Sequence, residues 1–153
     1  MNPEPINYIW SDTHFGHENV NAMGGRPFKT TEEGDKALLK AWRETVKKND
    51  VLWNLGDFTW KWPFEKVQNL LKNLPGKKIL VKGNHDKHPA DWYRRAGFHE
   101  VYDRPVLYKG RLLLSHEPLY VDPPFINVHG HTHQRSDYWG SENYVNVSVE
   151  CTN

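Results

Sequence analysis

Asp12 and His14, Asp57, Asn84 with His85, His116, and the pair His131 and His133 are side chains able to bind metal ions. Each group follows a short run of apolar, strand-forming residues: Ile6 to Ser11, Val51 to Trp53, Ile79 to Val81, Leu112 to Leu114 and Ile126 to Val128. In open α/β sheets sites are built in the crevice outside the carboxyl ends of the strands, so these strand ends are expected to converge on one pocket. Asp-x-His and His-x-His put two side chains two residues apart. In an extended strand they would point to opposite faces, so the loop must turn both inward.

The chemistry follows from number and type. Asp12, His14, Asp57, Asn84, His116, His131 and His133 are too many for one tetrahedral ion and suit two ions that share a carboxylate. Two divalent ions bring four positive charges and the two aspartates return two negative ones, so the pocket stays cationic even with a bound hydroxide. Such a pocket attracts phosphate. Two ions about 3.5–4 Å apart activate a bridging water and hold phosphoryl oxygens during an in-line displacement. The expected reaction is hydrolysis of a phosphoester.

Asp12-x-His14, Gly56-Asp57, Gly83-Asn84-His85-Asp86, His116 and Gly130-His131-x-His133, in that order, resemble the calcineurin-like metallophosphoesterase family. Ser11 to His17, Arg26-Pro27-Phe28 and Asn146 to Glu150 resemble a compact bacterial and phage branch of it. The resemblance implies that Asp12, His14 and His133 hold one metal, that Asn84, His116 and His131 hold the other, and that Asp57 bridges them. It also implies that His85 is not a ligand but faces the substrate, protonating the leaving oxygen or stabilising the transition state, with Asp86 orienting it.

Other residues have weaker motifs. His17, three positions after His14, is placed at the phosphate or the mouth of the site, and Arg26 offers a planar fork suited to phosphate. Trp53, Phe58, Trp60 and Trp62 surround the Asp57 loop, with Tyr120 and Trp139 in other nearby loops; they are either core or stacking surfaces for a nucleobase. His88, His99 and His129 read as structural or surface residues, and Lys47-Lys48 and Lys77-Lys78 as solvated ends of elements.

The elements that must position these groups are legible as patterns. Thr30 and Glu33 form a capping box, opening a helix with Ala37, Leu38, Ala41, Trp42 and Val46 on one face. Pro63 starts a second helix carrying Val67, Leu70, Leu71 and Leu74, stopped by Pro75-Gly76. Pro89 opens a short third one through Ala96. Pro105 to Tyr108 and Leu112 to Leu114 read as two strands joined at Lys109-Gly110, Pro118 to Pro124 as a proline-rich loop, and Tyr144 to Val149 as a half-buried strand. Alternating strands and helices followed by strands predict an α/β fold, a mixed sheet flanked by helices, and the resemblance implies a mixed-sheet sandwich of the calcineurin-like type.

Composition sets bounds. The 153 residues amount to one domain, residues 1–153. Mean hydropathy is −0.82, yet 20 aromatic residues are enough to fill a core. No run of about 20 apolar residues or leader pattern is present, which predicts a cytoplasmic protein with no membrane partner. The lone Cys151 excludes a disulfide framework and a thiolate metal cluster. A net charge of +1 gives no strong nucleic-acid footprint.

The expected activity is metal-dependent hydrolysis of a small phosphoester, with a nucleotide among the expected substrates. A phosphodiester of nucleotide type comes first and a phosphomonoester second. Mn²⁺ is the first expectation for the cofactor, with Fe, Ni²⁺, Co²⁺ or Zn²⁺ as other candidates for the same ligand set. The alternatives are a metal-stabilised nucleotide-binding or regulatory module and a nuclease acting on polynucleotide ends. The cleft would be bounded by loops 15–30, 58–63 and 117–125.

Overall fold

The computed structural model describes residues 3–134 and 142–152. Two four-stranded sheets stack face to face. The first is wholly parallel in the order β1 (Asn7–Trp10), β2 (Val51–Asn54), β3 (Lys77–Val81), β4 (Glu100–Tyr102). The second is mixed: β5 (Val106–Tyr108) runs antiparallel to β6 (Leu112–Leu114), followed in parallel by β7 (Ile126–His129) and β8 (Tyr144–Asn146).

Because β1 to β4 lie side by side in chain order, crossovers of one hand deliver every connecting helix to the same face. There α2 (Thr31–Thr45), α3 (Phe64–Lys72) and α4 (Ala90–Ala96) bury Leu38, Trp42, Val67, Leu71 and Tyr93 against Leu52, Leu80 and Val101. The opposite face supplies Trp53, Leu55, Ile79 and Val81, which meet Leu114, Val128 and Val147 of the second sheet. Alternate residues of one strand therefore enter two separate cores, which is why β2 and β3 read as continuous apolar runs.

The three long helices match their sequence signals. Thr30 caps α2 by accepting from the Glu33 N–H at 3.1 Å, while Glu33 accepts from the Lys29 N–H at 2.9 Å. Pro63 and Pro89 sit one position ahead of the helices they open. Two elements carry no signal long enough to read: α1 (Val20–Met23), a single turn, and the three-residue β4. The run expected as one strand from Tyr144 to Val149 divides. Asn146 Oδ1 takes the Ser148 N–H at 3.0 Å, and the chain crosses to β1, where the Ser11 N–H donates to the Val147 carbonyl and the Val149 N–H to the Ser11 carbonyl. This parallel crossing point stitches the sheets together and brings their carboxyl ends to one edge.

Candidate metal centre

The shared edge carries the site. Asp12 and His14 follow β1, Asp57 follows β2, Asn84 and His85 follow β3, His116 follows β6, and His131 and His133 follow β7. Their loops are tied to each other: the Asp12 N–H donates to the Gly56 carbonyl, the His14 N–H to the Asp57 carbonyl, and the Gly130 N–H to the His116 carbonyl.

Turning side chains two residues apart towards one point requires the left-handed region of backbone space. Asp12 (φ 61°), His14 (46°), Asp57 (54°), His131 (67°) and His133 (51°) all adopt it. Such conformations cost a non-glycine residue roughly 1–3 kcal/mol and persist where the surroundings over-determine them. Glycines make room beside them. A Cβ on Gly56, itself at φ 102°, would lie 2.5 Å from the Gly83 nitrogen and 2.7 Å from His116 Nδ1; one on Gly130 would meet Asp12. This close packing is the physical content of the Gly-Asp and Gly-His pairs.

Two clusters of donor atoms result. Asp12, His14 and His133 present atoms within 4.8 Å of one another, and so do Asp57, His116 and His131. Asn84 Oδ1 joins the second cluster, 2.8 Å from His116 Nε2 and 3.1 Å from His131 Nδ1. Asp57 Oδ2 stands between the clusters, 3.5 Å from His14 Nε2 and 3.3 Å from His116 Nε2. Asp12 Oδ1 and His14 Nε2 are fully buried and have no hydrogen-bond partner among the described residues. Buried polar atoms are ordinarily satisfied, so these orphaned ligand atoms fit a bound cation. His116 Nδ1 meets the Leu55 carbonyl at 2.8 Å. A carbonyl only accepts, so Nδ1 carries the hydrogen and Nε2 faces the centre.

The electrostatics agree with a cation site. Burial raises the Asp57 carboxyl, but the His116 and His14 imidazoles outweigh it and hold the group below its ordinary value. Burial works the same way on Asp12, and His14, His116 and His133 again prevail. His116 is lowered by burial but raised more by Asp57, to about 9.

His85 and His17 line a cavity of about 490 Å³ beside the two clusters, with Trp60 between them. The Trp60 ring is 4.0 Å from the His17 ring and 4.9 Å from that of His85. His85 Nε2 lies 3.9 Å from Asp57 Oδ2 and its side chain is 37 % exposed, an open imidazole facing the shared carboxylate from outside both donor clusters. Of the aromatics around Asp57, only Trp60 lines this cavity. Phe58 is fully buried, Trp53 belongs to the core between the sheets, and Trp62 packs on Phe15 and Lys66. Tyr120 is largely exposed and bonded to Asp122, and Trp139 lies outside the described residues. Of the loops expected to bound the cleft, 117–125 falls instead beside a second cavity of about 340 Å³, behind Asn84 and His116.

Two residues sit differently from the sequence expectation. Arg26, expected at the phosphate, has a side chain only 4 % exposed and faces inward, donating to the carbonyls of Thr13 (3.0 Å) and Asp12 (2.5 Å) and pairing with Glu150. Asp86, expected to orient the His85 imidazole, accepts instead from the backbone N–H groups of Gly83 (2.8 Å), Asp57 (2.8 Å) and Phe58 (3.2 Å). It holds the loop that carries Asp57. Burial, followed by the Asp57 charge, pushes its carboxyl up to about 6 against those three donors. Glu150, at the end of the Asn146 to Glu150 block, carries no spacing signal for a role at the site, because its partners His133 and Arg26 lie far away in the chain. His88 stacks on Trp92, His99 accepts from the Lys78 N–H, and His129 is buried at the end of β7; among the described residues none of the three belongs to either donor cluster.

The chain belongs to the calcineurin-like phosphoesterase family, whose profile matches residues 8–150. It is 34 % identical to an uncharacterized protein of Methanocaldococcus jannaschii over 95 % of this chain and 82 % of that one. It is 31 % identical to the Gene 66 protein of Mycobacterium phage L5 over 82 % and 76 %. A solved protein of unknown function from Aquifex aeolicus superposes with a TM-score of 0.74 at 31 % identity, covering 96 % of this chain and 91 % of that one. A Pseudomonas putida nuclease superposes with a TM-score of 0.57 at 26 % identity, covering 83 % and 61 %. Family membership makes this a metal-dependent phosphoesterase, a hydrolase.

Proposed function

We propose that the protein is a two-metal phosphodiesterase acting on a small diester of nucleotide type. The observation that carries the two-metal reading is the position of Asp57 Oδ2, within 3.5 Å of a donor nitrogen in each cluster. Asp12, His14 and His133 would hold one ion, Asn84, His116 and His131 the other, and Asp57 both. Two divalent ions so held supply an activated water and charge neutralisation for the phosphoryl oxygens. Donors of imidazole, carboxylate and amide type suit Mn²⁺ first and Fe, Ni²⁺, Co²⁺ or Zn²⁺ after it.

The choice of diester rests on the cavity. No Lys or Arg lines it among the described residues, and Arg26 is turned away beneath the site. A monoester dianion gains from a fixed cation of that kind, whereas a diester with one negative charge does not need it. Val20, Met23 and Trp60 give the cavity an apolar wall on which an organic group of the substrate can lie. Burial lowers the His85 imidazole in spite of Asp57, and its ring lines the cavity where the leaving oxygen would sit, within reach to act on it. His17, held edge-on to Trp60, limits the same wall.

A second reading, a nuclease working on polynucleotide ends, is favoured by the Pseudomonas putida nuclease relative. One screen separates the readings: bis-(p-nitrophenyl) phosphate, p-nitrophenyl phosphate and single-stranded oligonucleotides with free or blocked ends, each with the metal series. The proposal expects Mn²⁺-dependent cleavage of the diester above the monoester. Cleavage of the oligonucleotides alone would transfer the assignment to the nuclease. Turnover of none of them with any metal would overturn both.

The lone, exposed Cys151 fits a reducing compartment, and we place the protein in the cytoplasm. Among the described residues no helix is long and apolar enough to cross a membrane.

A further inference from the structure

Beneath the first cluster lies an ion pair that touches neither the cavity nor the second cluster. Glu150 and Arg26 have side chains 3 % and 4 % exposed, with Arg26 Nη2 2.7 Å from Glu150 Oε1. The same carboxylate oxygen accepts from Arg26 Nε at 2.8 Å and lies 2.9 Å from His133 Nδ1. A carboxylate accepts only, so His133 Nδ1 carries the hydrogen and Nε2 is the nitrogen left to take a metal. That nitrogen faces Asp12 Oδ1 at 3.8 Å.

Arg26 acts at the other end. Its remaining donors fasten the carbonyls of Asp12 and Thr13, the backbone of the loop that presents Asp12 and His14. One guanidinium and one carboxylate thus join three residues from loops at the ends of different sheets. We infer that Glu150 and Arg26 are positioning residues for the ion held by Asp12, His14 and His133: Glu150 fixes the His133 tautomer and ring, and Arg26 sets the distance from His133 to the Asp12 loop.

The neighbourhood is built to the same end. A Cβ on Gly24 would stand 2.6 Å from Glu150 Oε1, so a methyl there would push the carboxylate off both partners. The second cluster is held by other means, His116 by the Leu55 carbonyl and the Asp57 loop by Asp86. Loss of Glu150 therefore acts on one ion site and not on the other. Carboxylates behind a metal-binding imidazole are worth about 10- to 100-fold in metal affinity.

The inference rests on the two-ion reading above, and calorimetric titration of metal-free full-length protein with Co²⁺, followed also by its visible spectrum, separates the two. Wild-type protein that takes up fewer than two ions counts against the two-ion reading itself. Given two ions, Glu150→Ala should weaken one site about 10- to 100-fold, alter the spectrum of that site alone, and leave the other within about two-fold. Glu150→Gln, whose amide oxygen still accepts from His133, should recover part of the loss. Arg26→Met and Gly24→Ala should weaken the same site. Should Glu150→Ala not fold, Glu150→Gln and Gly24→Ala carry the comparison. Equal weakening of both sites, or unchanged affinities with only a lower unfolding midpoint, would overturn the inference.

Discussion

His85 and the residues around Asp57 divide the work between chemistry and geometry. His85→Ala removes an open imidazole that faces the shared carboxylate from outside the donor clusters and leaves those clusters intact. It should lower kcat by roughly 10²–10⁴-fold with both ions retained, as checked by steady-state kinetics and elemental analysis on one preparation. Loss of an ion would make His85 a ligand. Gly56→Ala should instead abolish metal uptake, since the added methyl meets His116 and Gly83. At this scale the sequence is legible where chemistry resides in residue type: the seven donors announce themselves as Asp, His and Asn after apolar runs. It is illegible where a charged side chain serves the backbone. Arg26 and Asp86 have the look of catalytic groups, yet they bind carbonyls and N–H groups that no motif marks.

The helices and strands explain how three of the donor loops keep a strained geometry. Asp35 on α2 accepts the Gly16 N–H at 3.0 Å, tying that helix to the loop that carries His14. Burial pushes the Asp35 carboxyl up to about 6 despite that bond. A raised acid binds its proton more tightly when folded, so it favours the fold below about pH 4 and that advantage is lost as pH rises through 6. Asp35→Asn keeps an acceptor and removes the buried charge; its unfolding midpoint should exceed that of wild type at pH 7 and match it near pH 4. Thermal melts across that range test this, and a lower midpoint for the variant at pH 7 would contradict it. Leu80→Ala, fully buried in β3 behind Asn84, should cost about 2–5 kcal/mol by denaturant unfolding. The long elements were legible because caps, prolines and apolar periodicity agree. The single turn of α1 and the three residues of β4 are too short to show a period, and pairing with β3, not propensity, makes Glu100 to Tyr102 a strand.

For the whole molecule, two sheets joined at Ser11 and Ser148 place all the donor loops on one edge, and this arrangement, more than any single motif, makes the site. Because the clusters unite loops remote in sequence, metal should stabilise the entire fold. Mn²⁺ at 100 times its dissociation constant should add about 2.7 kcal/mol per ion, raising the unfolding midpoint by roughly 5–10 °C for each ion bound, and a chelator should reverse it. With a net charge of +1, turnover of a small diester should change little between about 50 and 200 mM salt, where binding through many phosphate contacts falls by orders of magnitude. A steep salt dependence would favour the polynucleotide reading. The most direct test of the central claim is anomalous diffraction at the manganese edge from crystals of the Mn²⁺-loaded protein. The account predicts two peaks about 3.5–4 Å apart on either side of Asp57 Oδ2. A single peak, or peaks remote from Asp57, would contradict it.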